Sequence, residues 1–276
     1  MKDATINSSS QPSILFSQTH RLQIITGKGG VGKTTVSMAL TLIRKKQKLN
    51  VRYLCFKDKQ RKSLVDHLSL PELQMSIDDS VLIYLEMKLK SKSIAKLIAS
   101  SSFFKALFNM LPSLADMVFL GHIIDMLEKD PSLHIIMDSP SSGHAMSLFQ
   151  STDLWHSIFK TGPLVKDIER MKRFMSKPGN FAINVITLPT DMSIQESSEL
   201  IKQIKDSSLC EPVQAINNIL SLNQSLAEAN LPDFLQNKMK IEDNLIDKIS
   251  VPVVKIPHVI GENSEEVIKG LVNLYA

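Results

Sequence analysis

Gly27-Lys28-Gly29-Gly30-Val31-Gly32-Lys33-Thr34-Thr35 crowds glycines, two lysines and two threonines into one short stretch. Gly27, Gly29 and Gly32 alone satisfy GxGxxG, a weak dinucleotide signature. Gly32-Lys33-Thr34 completes GxxxxGK[ST], which is far more specific. Glycines allow the backbone to turn with its N–H groups facing inward as a nest for phosphate oxygens. A helix starting there adds the positive end of its dipole. Lys33 is then expected to reach the β/γ-phosphates of ATP, and the Thr34 hydroxyl to ligate Mg²⁺. The backbone from Gly27 through Thr35 completes the expected binding set. A dinucleotide oxidoreductase needs an acid after the second strand, a part Asp58 could be pressed into, but it gives Lys33-Thr34-Thr35 no purpose.

A second chemical position is Asp138, which abruptly ends the apolar run Leu133–Met137. A carboxylate at a strand end is placed to hold Mg²⁺ through water. Lys28 stands at the front of the loop, where it cannot easily contact the γ-phosphate of its own site.

These residues need strands ending at the loop and at Asp138, and a helix leaving the loop. Leu22–Thr26 is a short β-branched run, and Val36, Leu40 and Ile43 recur at helical spacing within Lys33–Lys46. Further strands are expected at Val51–Phe56, Leu133–Met137, Phe181–Leu188, Val213–Ile219 and Val251–Ile256. Helical sequence runs from about Ser80 to Lys129, broken at Pro112, and Ser113 with Asp116 has capping-box spacing. Ser193 and Glu196 have similar spacing after the Phe181 strand. Strands alternating with helices predict an α/β fold, a mostly parallel sheet flanked by helices. The economical organisation is a flexible arm over residues 1–20, with a short strand at Ile14–Phe16. One domain follows over residues 21–276, with a helical insertion at about 80–130.

Composition agrees with a globular chain: 276 residues, 43% hydrophobic and 22% charged. A net charge of +4 is too slight a footprint for a nucleic-acid binder. Cys55 and Cys210 lack CxxC spacing, so neither a four-thiolate zinc site nor a disulfide framework is expected. The N-terminus has no apolar run of signal-peptide length. Met117–Leu127 is interrupted by His122 and Asp125 and is too short to span a bilayer. A cytoplasmic location follows. Arg44–Lys48 reads as a solvated helix C-terminus that favours the dipole.

The stretch KGGVGKTT resembles the deviant Walker A motif of Min/Par partitioning ATPases, nitrogenase iron proteins and arsenite-pump ATPases (the SIMIBI type). The resemblance implies a face-to-face dimer in which Lys28 reaches the partner's nucleotide. Asp138-Ser139-Pro140-Ser141-Ser142-Gly143-His144 is similar to the DTAPTGHT switch of arsenite-pump (ArsA) and tail-anchored-protein-targeting ATPases, with its proline one position early. Leu111-Pro112 with Asp116, and Leu188-Pro189-Thr190-Asp191-Met192, resemble further segments of that family. Gly143 is thereby expected to offer its N–H to the γ-phosphate, Asn217 to bond the adenine, and Pro257 to flank the base. His144 is either a signalling or a structural histidine. Asp58 is the carboxylate nearest the family's water-activating aspartate, but its spacing is one residue longer and its neighbours are basic. Metalloid-binding cysteines and the zinc-binding CxxC are absent, so arsenite transport and a zinc bridge are not expected.

The resemblance implies an ATP-dependent homodimer, or a heterodimer with a paralogue, that binds a protein partner and hydrolyses ATP slowly. Ser93–Phe119, with Phe103, Phe104, Leu107, Phe108 and Met110, offers a groove for a client or simply core. The alternatives are a catalytically weak ATP-binding regulatory subunit and a Min/Par-like positioning ATPase. Against the latter, Ser264–Ala276 is not strongly basic, leaving any membrane role indirect.

Overall fold

The computed structural model describes residues 14–55, 59–102, 104, 106, 110, 112–139, 163–207, 210–227, 229–249 and 251–276. Asp58, Gly143 and His144 lie outside them, as do Phe103, Leu107 and Phe108.

Six strands form one parallel sheet: β1 (Leu22–Thr26), β2 (Asn50–Cys55), β3 (Leu133–Asp138), β4 (Phe181–Thr187), β5 (Val213–Ile219) and β6 (Val253–Pro257). Their order is β2-β3-β1-β4-β5-β6, so β1 lies inside the sheet between β3 and β4. The chain moves to one side of β1 and then to the other. That switch point opens a crevice at the strands' carboxyl ends, where ligands of open α/β sheets bind.

Strand periodicity sorts the core into two layers. Leu22, Ile24, Leu54, Ile135, Met137, Ile183 and Val185 pack on one face with α6 (Pro112–Lys129), α7 (Pro163–Met175) and α8 (Asp191–Asp206). Ile25, Val51, Tyr53, Ile136 and Ile186 pack on the other with α2 (Lys33–Lys46) and α11 (Ser264–Tyr275). Val36, Leu40 and Ile43 are fully buried there, on the helical stripe their spacing predicts. Between β2 and β3 run α3 (Lys59–His67), α4 (Ile77–Leu89) and α5 (Lys92–Ser100). α4 packs on α6 through Val81, Ala115 and Val118, with Phe104 against them. Short α9 (Gln224–Ala227) and α10 (Asp233–Asp247) link β5 to β6. Among the described residues no helix is long and apolar enough to cross a membrane.

Three local expectations change. Ile14–Ser17 is one helical turn, α1, instead of a strand, and Leu15 and Phe16 are buried. Phe16 stacks on Tyr275 with ring centroids 4.1 Å apart. Arg44 is not solvated: it is 1% exposed, and its guanidinium donates to the carbonyls of Phe16 and Gln18 and to the Gln47 side chain. A buried charge persists only when its donors are paired, and the carbonyls left open beyond α1 supply that pairing. The α8 N-cap is Thr190, whose hydroxyl accepts from the Ser193 N–H, so Ser193 and Glu196 form no capping box. The Ser193 hydroxyl instead accepts from the Leu188 N–H.

Candidate functional site

β1 runs into the glycine turn and α2 leaves it. Gly27 has φ 138° and Gly32 has φ 91°, a left-handed region open mainly to glycine. A Cβ on Gly27 would lie 2.2 Å from the carbonyl oxygen of Ile186, and one on Gly32 2.3 Å from the Asn217 amide nitrogen. The loop is therefore clamped between β4 and β5 at both ends. At Gly29 and Gly30, between them, a Cβ would meet nothing within 4 Å. The turn closes against the sheet and opens at its middle, as a phosphate cradle must.

α2 begins at Gly32 with no side-chain cap and no acidic residue in its first turn. Its first N–H groups are left for an anion. Lys33 is 6% exposed and its ammonium donates to the Lys28 carbonyl at 2.7 Å, folding back across the loop. Burial lowers its pKa, Asp138 pulls it up, and Arg61 pushes it down again. A buried cation with one carbonyl partner is poised to take phosphate oxygens.

Asp138 lies beside Ile25 on β1 and Cys55 on β2. It is fully buried, and Thr34 Oγ1 donates to its Oδ2 at 2.8 Å. The hydroxyl and carboxylate that the sequence assigns to the metal are thus brought together from positions 104 residues apart. The same Oδ2 accepts from Tyr53 Oη at 3.0 Å and Arg61 Nη1 at 2.9 Å. Desolvation raises the Asp138 pKa, opposed first by Arg61, then by Thr34, Tyr53 and Lys33. Desolvation and Asp138 together push the Tyr53 phenol far up, so it stays a donor at any working pH.

Asp138 Oδ1 is buried, and among the described residues it has no hydrogen-bond partner. An orphaned carboxylate oxygen beside a threonine hydroxyl at the foot of a phosphate loop fits Mg²⁺ and its water. Among the described residues no cluster of three or more His, Cys, Asp and Glu could hold an ion alone. A magnesium here would draw much of its coordination from phosphate oxygens.

Asn217, expected at the adenine, donates its amide to the Val31 carbonyl at 2.9 Å and so braces the loop. Beside it, Asn218 has φ 70° and its side chain meets His258, the residue after Pro257. Asn217 lies within β5, two residues before Ile219, which pairs with Pro257 at the end of β6 across an irregularity in register. Lys28 is exposed and ion-paired with Glu196 on α8.

Tyr53, Arg61 and Glu196 were not legible as site residues. Tyr53 reads as one apolar position in a strand, and Arg61 as one of several basic residues after it. The lone signal for Arg61 was that basic character where the resembled family is small and neutral.

A glycine turn between a central parallel strand and a helix, with Lys33, Thr34 and a strand-end aspartate converging beneath it, defines a P-loop nucleotide-binding protein. The model of the anion-transporting ATPase family (ArsA type) matches residues 20–162, and the chain belongs to that family. Members bind nucleotide, generally with Mg²⁺, and hydrolyse it. No curated protein matches the chain.

Proposed function

We propose that this chain is an ATP-driven switch that binds ATP and Mg²⁺ at the loop, dimerises through Lys28 and presents a helical surface to a protein partner. The observation that carries the reading is Thr34 and Asp138 meeting beside the buried Lys33. Lys33 leaves the Lys28 carbonyl for the β/γ-phosphates, and the first turn of α2 supplies N–H donors. Asp138 and Thr34 would hold Mg²⁺, which when bound would supply electrostatic stabilisation of charge on the phosphates. Release of the Asn217 brace couples loop closure to the β5–β6 edge. Lys28 leaves Glu196 for a partner's phosphates, with the partner either a second copy or a paralogue.

The helical surface is α4 and α5, where Met87, Leu89, Ile94 and Leu97 are exposed. Turnover is slow, since the water-activating position falls to Asp58 in a basic stretch. A second reading, an ATP-binding regulatory subunit with little hydrolysis, is favoured by Arg61 engaging Asp138.

Calorimetry tests the site. Lys33→Ala should weaken ATP binding by more than about a hundredfold, the loss of a desolvated charge–phosphate contact. Unchanged affinity in that variant defeats the assignment. Lys28→Ala should keep ATP binding yet lose nucleotide-dependent dimerisation in sedimentation velocity. Steady ATP turnover that disappears in Asp58→Asn separates the switch enzyme from the regulatory subunit.

A further inference from the structure

The ends of β5 and β6 hold a polar pair that the phosphate chemistry does not use. Ile216 pairs with Lys255 and Ile219 with Pro257, so β5 carries one residue more than β6 over that interval. Such a bulge re-aims a side chain. Asn218 sits in it, exposed, with φ 70°, a left-handed conformation that asparagine tolerates better than most residues. Its side-chain oxygen meets Nδ1 of His258. An amide oxygen can only accept, so Nδ1 carries the ring proton and Nε2 is left as an acceptor. The main chain of His258 is fixed on both sides. Its N–H donates to the Ile219 carbonyl at 2.8 Å, and its carbonyl accepts from Asn223 Nδ2 at 2.9 Å. Burial and then Lys238 lower the imidazole pKa, which keeps the ring neutral near neutral pH. Among the described residues neither His258 Nε2 nor Asn218 Nδ2 has a hydrogen-bond partner. One acceptor and one donor are left on neighbouring side chains.

Asp138, at the end of β3, marks where the last phosphates and the metal belong. Adjacent strands lie about 4.8 Å apart, so in this strand order β5 stands about 14 Å from β3 and β6 about 19 Å. That separation is comparable with the reach of a nucleoside triphosphate from its last phosphate to its base. Asn217, expected at the adenine, is 9% exposed and commits an amide donor to Val31. We infer that Asn218 and His258 are the pair that reads the base, and that they select a 6-aminopurine over a 6-oxopurine. Adenine offers its N6 amino donor beside the N7 acceptor, whereas guanine offers two acceptors, O6 and N7. A 6-amino group donates to His258 Nε2 while the neighbouring ring nitrogen accepts from Asn218 Nδ2. A 6-oxo group instead sets oxygen against Nε2, two acceptors with no proton between them. An acceptor left unpaired in this way is costly once water is displaced.

The proposal rests on nucleotide binding at the loop, and the test separates the two. ATP, inosine triphosphate and inorganic tripolyphosphate are each titrated calorimetrically into the protein in excess Mg²⁺. The first two differ at position 6 of the purine, and the third has no base. The wild type should bind ATP more than about tenfold tighter than inosine triphosphate. His258→Phe, which keeps a ring without the acceptor, should bring that ratio below about threefold. So should Asn218→Gly, which keeps the left-handed backbone and removes the amide. Both variants should bind tripolyphosphate within about threefold of the wild type. Asn217→Ala, which removes the loop brace, should weaken all three ligands and keep the ratio. A merely structural role for the pair would weaken the three ligands by one factor in His258→Phe, and that result overturns the proposal. Loss of the ratio in Asn217→Ala with its retention in His258→Phe also overturns it while leaving the nucleotide site standing. The wild-type comparison needs no variant to fold: equal affinity for ATP and inosine triphosphate suffices to reject the idea. Absence of binding by all three ligands removes the site itself.

Discussion

Glycine at position 27 is a requirement of contact as much as of conformation. Its φ of 138° is almost closed to other residues, and a methyl would press 2.2 Å from the Ile186 carbonyl. Gly27→Ala should cost more than about 2 kcal/mol in urea unfolding; a loss under about 0.5 kcal/mol would show that the turn relaxes freely. Lys28 illustrates the opposite case. Its pairing with Glu196 is exposed on the lysine side, and such pairs contribute about 1 kcal/mol or less. It cannot hold Lys28 against a phosphate. Glu196→Gln should accordingly change ATP-dependent dimerisation by less than about fivefold in sedimentation, whereas Lys28→Ala abolishes it. Lys28 was legible because its motif is local; Glu196, 168 residues away, was not.

At the scale of elements, α2 links the N-terminal turn to the sheet. Arg44 sits in its last turn and is tied to α1 by carbonyls that no other described side chain satisfies. Helical spacing shows that Arg44 neighbours the apolar stripe but is silent on what lies above it, so it reads as solvated. Arg44→Met keeps the stem and removes the donors. It should cost about 2–4 kcal/mol in urea unfolding, the desolvation penalty of buried carbonyls left without donors. A change below about 0.5 kcal/mol would mean that water replaces the guanidinium. α5 makes the contrasting prediction. Leu97 is 72% exposed, so Leu97→Glu should leave stability within about 0.5 kcal/mol. A larger loss would show that this face is covered within the chain itself.

Across the whole molecule, burial lowers the pKa of His20, His122 and His258, with Arg44 adding to the effect at His20 and Lys238 at His258; at His122, Asp125 opposes it and Lys129 adds to it. A depressed imidazole binds fewer protons folded than unfolded, so stability rises with pH across that window. The contribution is complete above the ordinary value of 6.5 and is lost as pH falls through the lower folded values. The melting temperature should drop on going from about pH 7.5 to about pH 5.5. The drop should shrink in the His20→Gln, His122→Gln double variant, and a slope unchanged in that variant would exclude these groups. Asp138 acts with the opposite sign, since burial raises its carboxyl, and it is left intact in the comparison. The sheet collects the site: Ile25, Cys55 and Asp138 lie level across β1, β2 and β3.

Short-range chemistry was carried by the chain itself. The glycine spacing, Lys33, Thr34 and the apolar runs specify a phosphate loop in a parallel α/β sheet, because turn conformation, helix dipole and periodicity depend on neighbours within a few residues. Contacts between distant segments had no such record. Tyr53 and Arg61 converging on Asp138, and Asn217 bracing Val31, arise only when the sheet's strand order brings separate crossings to one edge, and Arg44 capping α1 arises only where the last turn of α2 packs on the N-terminal turn. Which cation stands beside Asp138 is decided by that packing, since Coulomb attraction responds to distance in space and not along the sequence.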